Sequence, residues 1–238
     1  MTACRLGVVA LGDSITNGGG ELQWGVALQS WALWVARGLG VPFTTFAVDG
    51  ARAAQVAGEQ VAAWRQRSPA DARYDLGCLY AGVNDVRSPD WDATAFAADY
   101  AVAYDVLAER CDRVLVVTIP LDLGRPRAGA RVQEANAVIE ARDALMLDLR
   151  DFGARNLVMT DHVHPTAFGQ VWIAERALEV LAADGMDVRV RPSTLIHPGG
   201  RTRLRALQGD WTFVYRALKE SARAARAARA AGRARRAA

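Results

Sequence analysis

Leu6-Gly7-Val8-Val9-Ala10-Leu11-Gly12-Asp13-Ser14-Ile15-Thr16 is the stretch on which the fold of this chain turns. A short apolar run stops at a glycine and a polar pair, the pattern of a buried strand that ends in a turn and feeds a helix. Outward from it, runs of the same kind recur, and strands are expected at Leu6–Leu11, Phe43–Val48, Leu76–Ala81, Arg113–Ile119 and Asn156–Thr160. Longer stretches with helical periodicity separate them: about Val26–Leu39, Ala51–Arg67, Ala93–Cys111, Ala130–Phe152 and, after the last strand, Pro165–Ala183. Apolar strands alternating with helices make a parallel sheet covered on both faces. The expected fold class is therefore α/β: a three-layer α/β/α sandwich, flavodoxin-like, with a five-stranded parallel sheet. In such sheets functional groups gather at the carboxyl ends of the strands.

The chain has 238 residues, 51% hydrophobic and 23% charged, enough for one well-buried domain and an appendage but not for two ordinary domains. Gly185, Pro192 and Pro198-Gly199-Gly200 break the βα rhythm, so a domain over residues 1–185 and an extension over 186–238 are expected. Charge divides at the same place. Residues 1–185 hold 16 Arg against 23 Asp and Glu, net −7, whereas residues 186–238 hold 13 Lys and Arg against 3 acids, net +10. In the extension Leu204, Leu207, Trp211, Val214 and Leu218 recur at helical spacing, followed by Ala/Arg triplets from Ala222 through Arg236, so a basic helix is expected there. The amino end lacks a secretory apolar region and cleavage site, and charged residues interrupt every apolar run, so a cytoplasmic location is expected. Cys4, Cys78 and Cys111 are odd in number and widely spaced, which suits reduced core thiols.

Three segments fall where expected strands end, and each supplies a residue type that acyl transfer requires. Ser14 follows the first strand, where a turn exposes its hydroxyl and the next helix lends N–H groups to a developing oxyanion. Gly82-Val83-Asn84-Asp85 follows the third, and an asparagine there can donate a hydrogen bond over the sheet edge. Asp161-His162-Val163-His164-Pro165 follows the fifth; a turn can bring Asp161 to the Nδ1–H of His164 while Nε2 faces the serine.

Gly12-Asp13-Ser14-Ile15-Thr16, Gly82-Val83-Asn84-Asp85 and Asp161-x-x-His164-Pro165 resemble blocks I, III and V of the SGNH (GDSL-type) hydrolases, in the same order, over about residues 5–183. The resemblance implies Ser14 as nucleophile, His164 as base and Asp161 as its orienting partner. It also implies an oxyanion hole made by the N–H groups of Ser14 and Gly50 with the Asn84 amide. Block II departs from the pattern: Thr45-Phe46-Ala47-Val48-Asp49-Gly50 lacks the asparagine usual before the glycine.

Plainer roles compete at several positions. Ser14 alone could be a helix cap, a role that the joint presence of the other blocks makes the lesser one. Asp13 and Asp85 adjoin site residues and are expected to tie down their turns. His162 is expected to pack or face solvent, and His197 to be solvated in the glycine-rich boundary. Trp31 and Trp34 share a helical face and belong to the core, while Trp24 and the Gly18-Gly19-Gly20 loop either line a substrate pocket or only pack. Asp161, His162 and His164 suggest a metal at first sight, but no third ligand cluster accompanies them, and because the serine carries the acyl group neither metal nor organic cofactor is expected.

The function expected is serine-dependent hydrolysis of carboxylic esters with small to medium acyl groups. An O-acyltransferase or deacetylase acting on a glycan, lipid or secondary metabolite is the alternative. For the basic extension an anionic membrane surface or a partner protein is the expected contact; no nucleic-acid module is recognisable, and nucleic acid is the lesser choice.

Overall fold

β1 (Val8–Gly12) is buried at all five positions, as a central strand covered on both faces must be. It pairs in parallel with β2 (Phe43–Thr45) on one side and β3 (Leu76–Tyr80) on the other. β3 pairs with β4 (Val114–Val117), and β4 with β5 (Leu145–Leu147), giving the order β2-β1-β3-β4-β5. This is the flavodoxin-like arrangement expected. The computed structural model describes residues 5–21, 23, 26–124, 127–154 and 156–196, with Trp211, Val214, Tyr215, Leu218, Lys219, Ser221 and Ala222 of the extension. Cys4, Trp24, His197, the Pro198-Gly199-Gly200 segment, Leu204, Leu207 and the Ala/Arg triplets from Arg223 lie outside the described residues.

Helices α2 (Trp31–Leu39) and α8 (Ala167–Ala183) pack on each other against one face of the sheet. The other face carries a helical run of α3 (Ala53–Gln55), a π turn (Val56–Gln60) and α4 (Val61–Arg67), beside α6 (Ala93–Arg110) and α7 (Ala130–Glu140). Two short helices, α1 (Ser14–Asn17) and α5 (Val83–Val86), begin at the carboxyl ends of β1 and β3. Trp31, Trp34 and Trp64 are core residues, and Cys78 and Cys111 are buried free thiols. α2 starts later than the expected Val26 because Ser30 caps it, its hydroxyl accepting the Leu33 N–H at 3.2 Å.

The fifth strand is not where the sequence placed it. Ala130–Phe152 is not one helix: α7 stops at Glu140, the chain turns at 141–144, and Leu145–Leu147 enters the sheet. Leu115, Val116 and Val117 of β4 are its register partners. Leu-Met-Leu favours helix by local propensity, and only the open edge of β4 makes it a strand. Asn156–Thr160, expected as that strand, is instead a turn region: Val158 bridges Pro165 antiparallel, and Met159 N donates to His164 O at 2.8 Å. A tight reversal therefore carries Asp161–His164, and it still stands at the carboxyl edge of the sheet.

The packed chain continues past Gly185. Arg189 N and Val190 N donate to Gly38 O, Pro192 is buried, and Ser193 N donates to the Glu175 carboxylate. Among the described residues no helix is long and apolar enough to cross a membrane.

Candidate active site

Ser14 opens α1 directly after β1, and three features fix it there. Gly12 has φ 153, and a Cβ on it would come within 2.4 Å of Tyr80 O, so only glycine allows β1 and β3 to close up before the turn. Asp13 is the N-cap of α1, with Oδ1 accepting the Ile15 N–H at 2.9 Å, the turn-tying role expected of it. Two buried glutamines then clamp the turn from opposite sides of the sheet. Gln60, at the end of the π turn, holds Gly12 by both main-chain groups: its Oε1 accepts Gly12 N–H at 3.0 Å and its Nε2 donates to Gly12 O at 2.7 Å. Gln170 of α8 donates to Ile15 O and Gly19 O at 3.0 Å each and accepts Trp31 N–H at 2.8 Å. Sequence reasoning missed both glutamines. Their signal is an uncharged amide on an otherwise apolar helix face, which burial makes costly unless every polar atom is paired.

Before α8, Asp161 organises its own turn. Oδ1 accepts the N–H groups of Val163 and His164 at 2.9 and 3.0 Å, and Oδ2 lies 2.7 Å from His164 Nδ1. His162 takes a left-handed conformation, φ 55, and lies 3.3 Å from an Asp122 carboxylate oxygen, while Gly124 N donates to its carbonyl. It thus packs against the 121–124 loop and stays out of the reacting line. Two distant segments of the chain meet here: Ser14 Oγ is 2.9 Å from His164 Nε2. Burial works to raise the Asp161 pKa, but hydrogen bonds from His164 and the main chain outweigh it and leave the carboxyl below its ordinary value. An ionised Asp161 accepts the Nδ1 proton, so Nε2 is the acceptor for the Ser14 O–H. The same bond raises the His164 pKa above 6.5, against the lowering effect of desolvation. This line can accept a proton from the serine hydroxyl and hold the resulting imidazolium.

The structure brings the remaining expected residues to the same edge. Asn17 Nδ2 donates to Asp49 at 2.9 Å, which ties α1 to the loop carrying Gly50. Gly50 has φ 77 with open space around its Cβ position. Asn84 donates to Ala51 O at 3.0 Å, orienting its amide, and Asp85 beside it accepts the Ala53 N–H, again a turn-tying role. Gly50 and Asn84 both line a cavity of about 680 Å3. The Gly18–Gly20 loop is not part of its lining; it packs Ser14 against the His164 turn, with Gly19 N donating to Ser14 O and Gly20 close to Pro165 O. Asp13 differs from the other carboxylates. It is fully buried, Oδ2 has no hydrogen-bond partner among the described residues, and burial pushes its pKa up to about 7. Among the described residues no cluster of three or more His, Cys, Asp or Glu could hold a metal ion.

A parallel sheet with a hydroxyl, an imidazole and a carboxylate in line at its carboxyl edge defines the class of α/β serine hydrolases. The sequence profile of the GDSL-like lipase/acylhydrolase family matches residues 10–172, well over half of the chain. The chain belongs to this family of lipases and acylhydrolases. Among solved structures it is similar to a lipolytic protein of the G-D-S-L family from Veillonella parvula, with 22% identity, TM-score 0.59 and coverage of 74% of this chain and 98% of that one. The acetylxylan esterase Axe2 from Geobacillus stearothermophilus is 18% identical, with TM-score 0.56 and coverage of 79% and 99%. Esterase EstA from Pseudoalteromonas is 14% identical, with TM-score 0.58 and coverage of 75% and 98%. Identities this low speak to the fold. Comparison with curated proteins returns no match.

Proposed function

We propose that the chain hydrolyses carboxylic esters of small to medium acyl groups through an acyl-enzyme on Ser14. The observation that carries this is the 2.9 Å contact between Ser14 Oγ and His164 Nε2, with Asp161 on the other ring nitrogen at 2.7 Å. Ser14 attacks the ester carbonyl as His164 takes its proton, and Asp161 stabilises the imidazolium. The N–H groups of Ser14 and Gly50 with the Asn84 amide receive the oxyanion. His164 returns the proton to the leaving alcohol, and water repeats the sequence on the acyl-enzyme. The resemblance to acetylxylan esterases among the structural neighbours favours short acyl groups. Profiling chromogenic esters of increasing acyl length, with fluorophosphonate labelling of wild type and Ser14→Ala, tests it. Label on wild type alone and turnover lost in the variant support the mechanism; label retained in Ser14→Ala refutes it.

For the extension we propose contact with an anionic membrane surface. Trp211, Tyr215 and Leu218 are 75%, 64% and 67% exposed and helical, and with Val214 their spacing puts them on one stripe. From residue 211 on, the sequence has seven arginines and Lys219 against one acid, Glu220, a composition that complements anionic headgroups. In liposome sedimentation, Trp211→Ser with Leu218→Ser in the full chain should weaken binding to anionic vesicles. Equal binding by wild type and variant ends this assignment.

A further inference from the structure

The cavity beside Gly50 and Asn84 has a lining that ester hydrolysis alone does not require. Arg52, Arg87, Arg127 and Arg131 all face it, and among the described residues no carboxylate does. Guanidinium groups stay charged at any working pH, so four in one concavity repel each other unless something negative sits among them. Arg127 is paired with Asp122, and Arg131 Nη1 donates to Ser88 O at 2.6 Å. Arg52 and Arg87 have no carboxylate partner among the described residues. Asp85, which acts on Arg52 electrostatically, already accepts the Ala53 N–H. The concentration of positive charge is no by-product of a basic body, because residues 1–185 carry net −7. Nor is it remote from the chemistry: Gly50 and Asn84, two of the three expected oxyanion donors, line the cavity.

We propose that this cavity is an anion-recognition subsite, and that the substrate is an ester bearing a carboxylate, sulfate or phosphate group held by Arg52, Arg87 and Arg131. About 680 Å3 lies within the range of small-molecule sites and accepts such a group with several carbons between it and the ester. The planar fork of arginine matches all three anions bidentately. An acidic body with a cationic cleft admits the anion at one place and disfavours it elsewhere, so the charge also selects orientation. This inference rests on the esterase reading for what happens next to the bound ester, but not for the binding itself.

The test uses Ser14→Ala, which holds esters without turning them over, and titration calorimetry at low salt. Two matched pairs are compared: para-nitrophenyl hemiglutarate with its methyl ester, placing the anion on the acyl side, and acetoxybenzoate with its methyl ester, placing it on the alcohol side. The anionic member of one pair should bind about tenfold or more tightly than its neutral partner, as expected for a charge-assisted pair, and salt should erode the advantage. Which pair responds identifies the side that enters the cavity. Adding Arg52→Gln and Arg87→Gln should remove the preference, whereas Arg65→Gln, an exposed arginine of α4 outside the cavity, should keep it. No preference in either pair, or a preference that survives the double substitution, overturns the proposal. If the preference holds while wild type neither hydrolyses any of the esters nor takes a fluorophosphonate label, the subsite stands and the hydrolase mechanism is what has failed.

Discussion

Replacing Asp161 by asparagine separates the two tasks its carboxylate performs. Oδ1 holds two main-chain donors, Val163 N and His164 N, and Oδ2 faces His164 Nδ1 at 2.7 Å. In Asp161→Asn the amide oxygen keeps the main-chain donors, which puts the NH2 group against Nδ1. That nitrogen must then become an acceptor, the ring proton moves to Nε2, and Nε2 can no longer take the proton of Ser14. A wrong tautomer in such a line costs about 10³ to 10⁴ in kcat, or about 4 to 5.5 kcal/mol of transition-state stabilisation. Stability should change by less than about 1 kcal/mol, because the main-chain bonds survive. Asp161→Ala is the contrast: it strips both main-chain donors of their acceptor and should lose about 1 to 3 kcal/mol of stability as well. Hydrolysis of para-nitrophenyl butyrate across pH, with urea unfolding of the same samples, reads both quantities. In wild type, activity rises with pH as His164 loses its proton, above the ordinary 6.5, because Asp161 raises that pKa. Without the charge the rising limb of the residual activity should move to lower pH. An Asp161→Asn enzyme within tenfold of wild type, with its limb unmoved, would refute the assigned roles.

Asn84→Ala removes the amide proposed as an oxyanion donor and should cost about 10² to 10³ in kcat while KM and the circular dichroism spectrum stay close to wild type. Gln170→Leu leaves Ile15 O, Gly19 O and Trp31 N without their partner inside the protein. It should lower stability by roughly 1 to 3 kcal/mol, read as a lower urea midpoint, and depress kcat more than it raises KM, because the Ser14 turn loosens. Asp13 has its carboxyl raised from 3.8 to about 7 by burial, so the folded state holds a proton that the unfolded chain has given up between those values. Its contribution is fully present below pH 3.8 and falls as pH rises to about 7, an effect of at most about 4 kcal/mol. Asp13→Asn should flatten this part of the stability profile; an identical pH dependence of Tm in wild type and variant would exclude it.

The fold class and the candidate site residues were legible because they depend on local chemistry. β1, β3 and β4 are continuous apolar runs because both their faces are covered, and a continuous run shows in one dimension. Ser14 after β1 and the Asp161–His164 turn announce themselves by residue types that a packed turn rarely carries without a use. The fifth strand could not be found in this way. Leu145–Leu147 is three residues long at a sheet edge, with the pattern of a helix, and its identity comes from hydrogen bonds offered by β4. The chain 156–160 has the composition of a strand but pairs with its own continuation at Pro165.

What the sequence determined alone is which groups can react and roughly where the sheet is, since propensity, periodicity and turn chemistry act over a few residues. What only the tertiary structure decided is distance. Ser14 and His164 are 150 residues apart in the chain and 2.9 Å apart in space, Gln60 and Gln170 reach the Ser14 turn from two different helical runs, and four arginines from three segments share one cavity. Such meetings are set by how helices pack on the two faces of the sheet, and buried amides such as Gln60 and Gln170 favour that packing because it pairs their polar atoms.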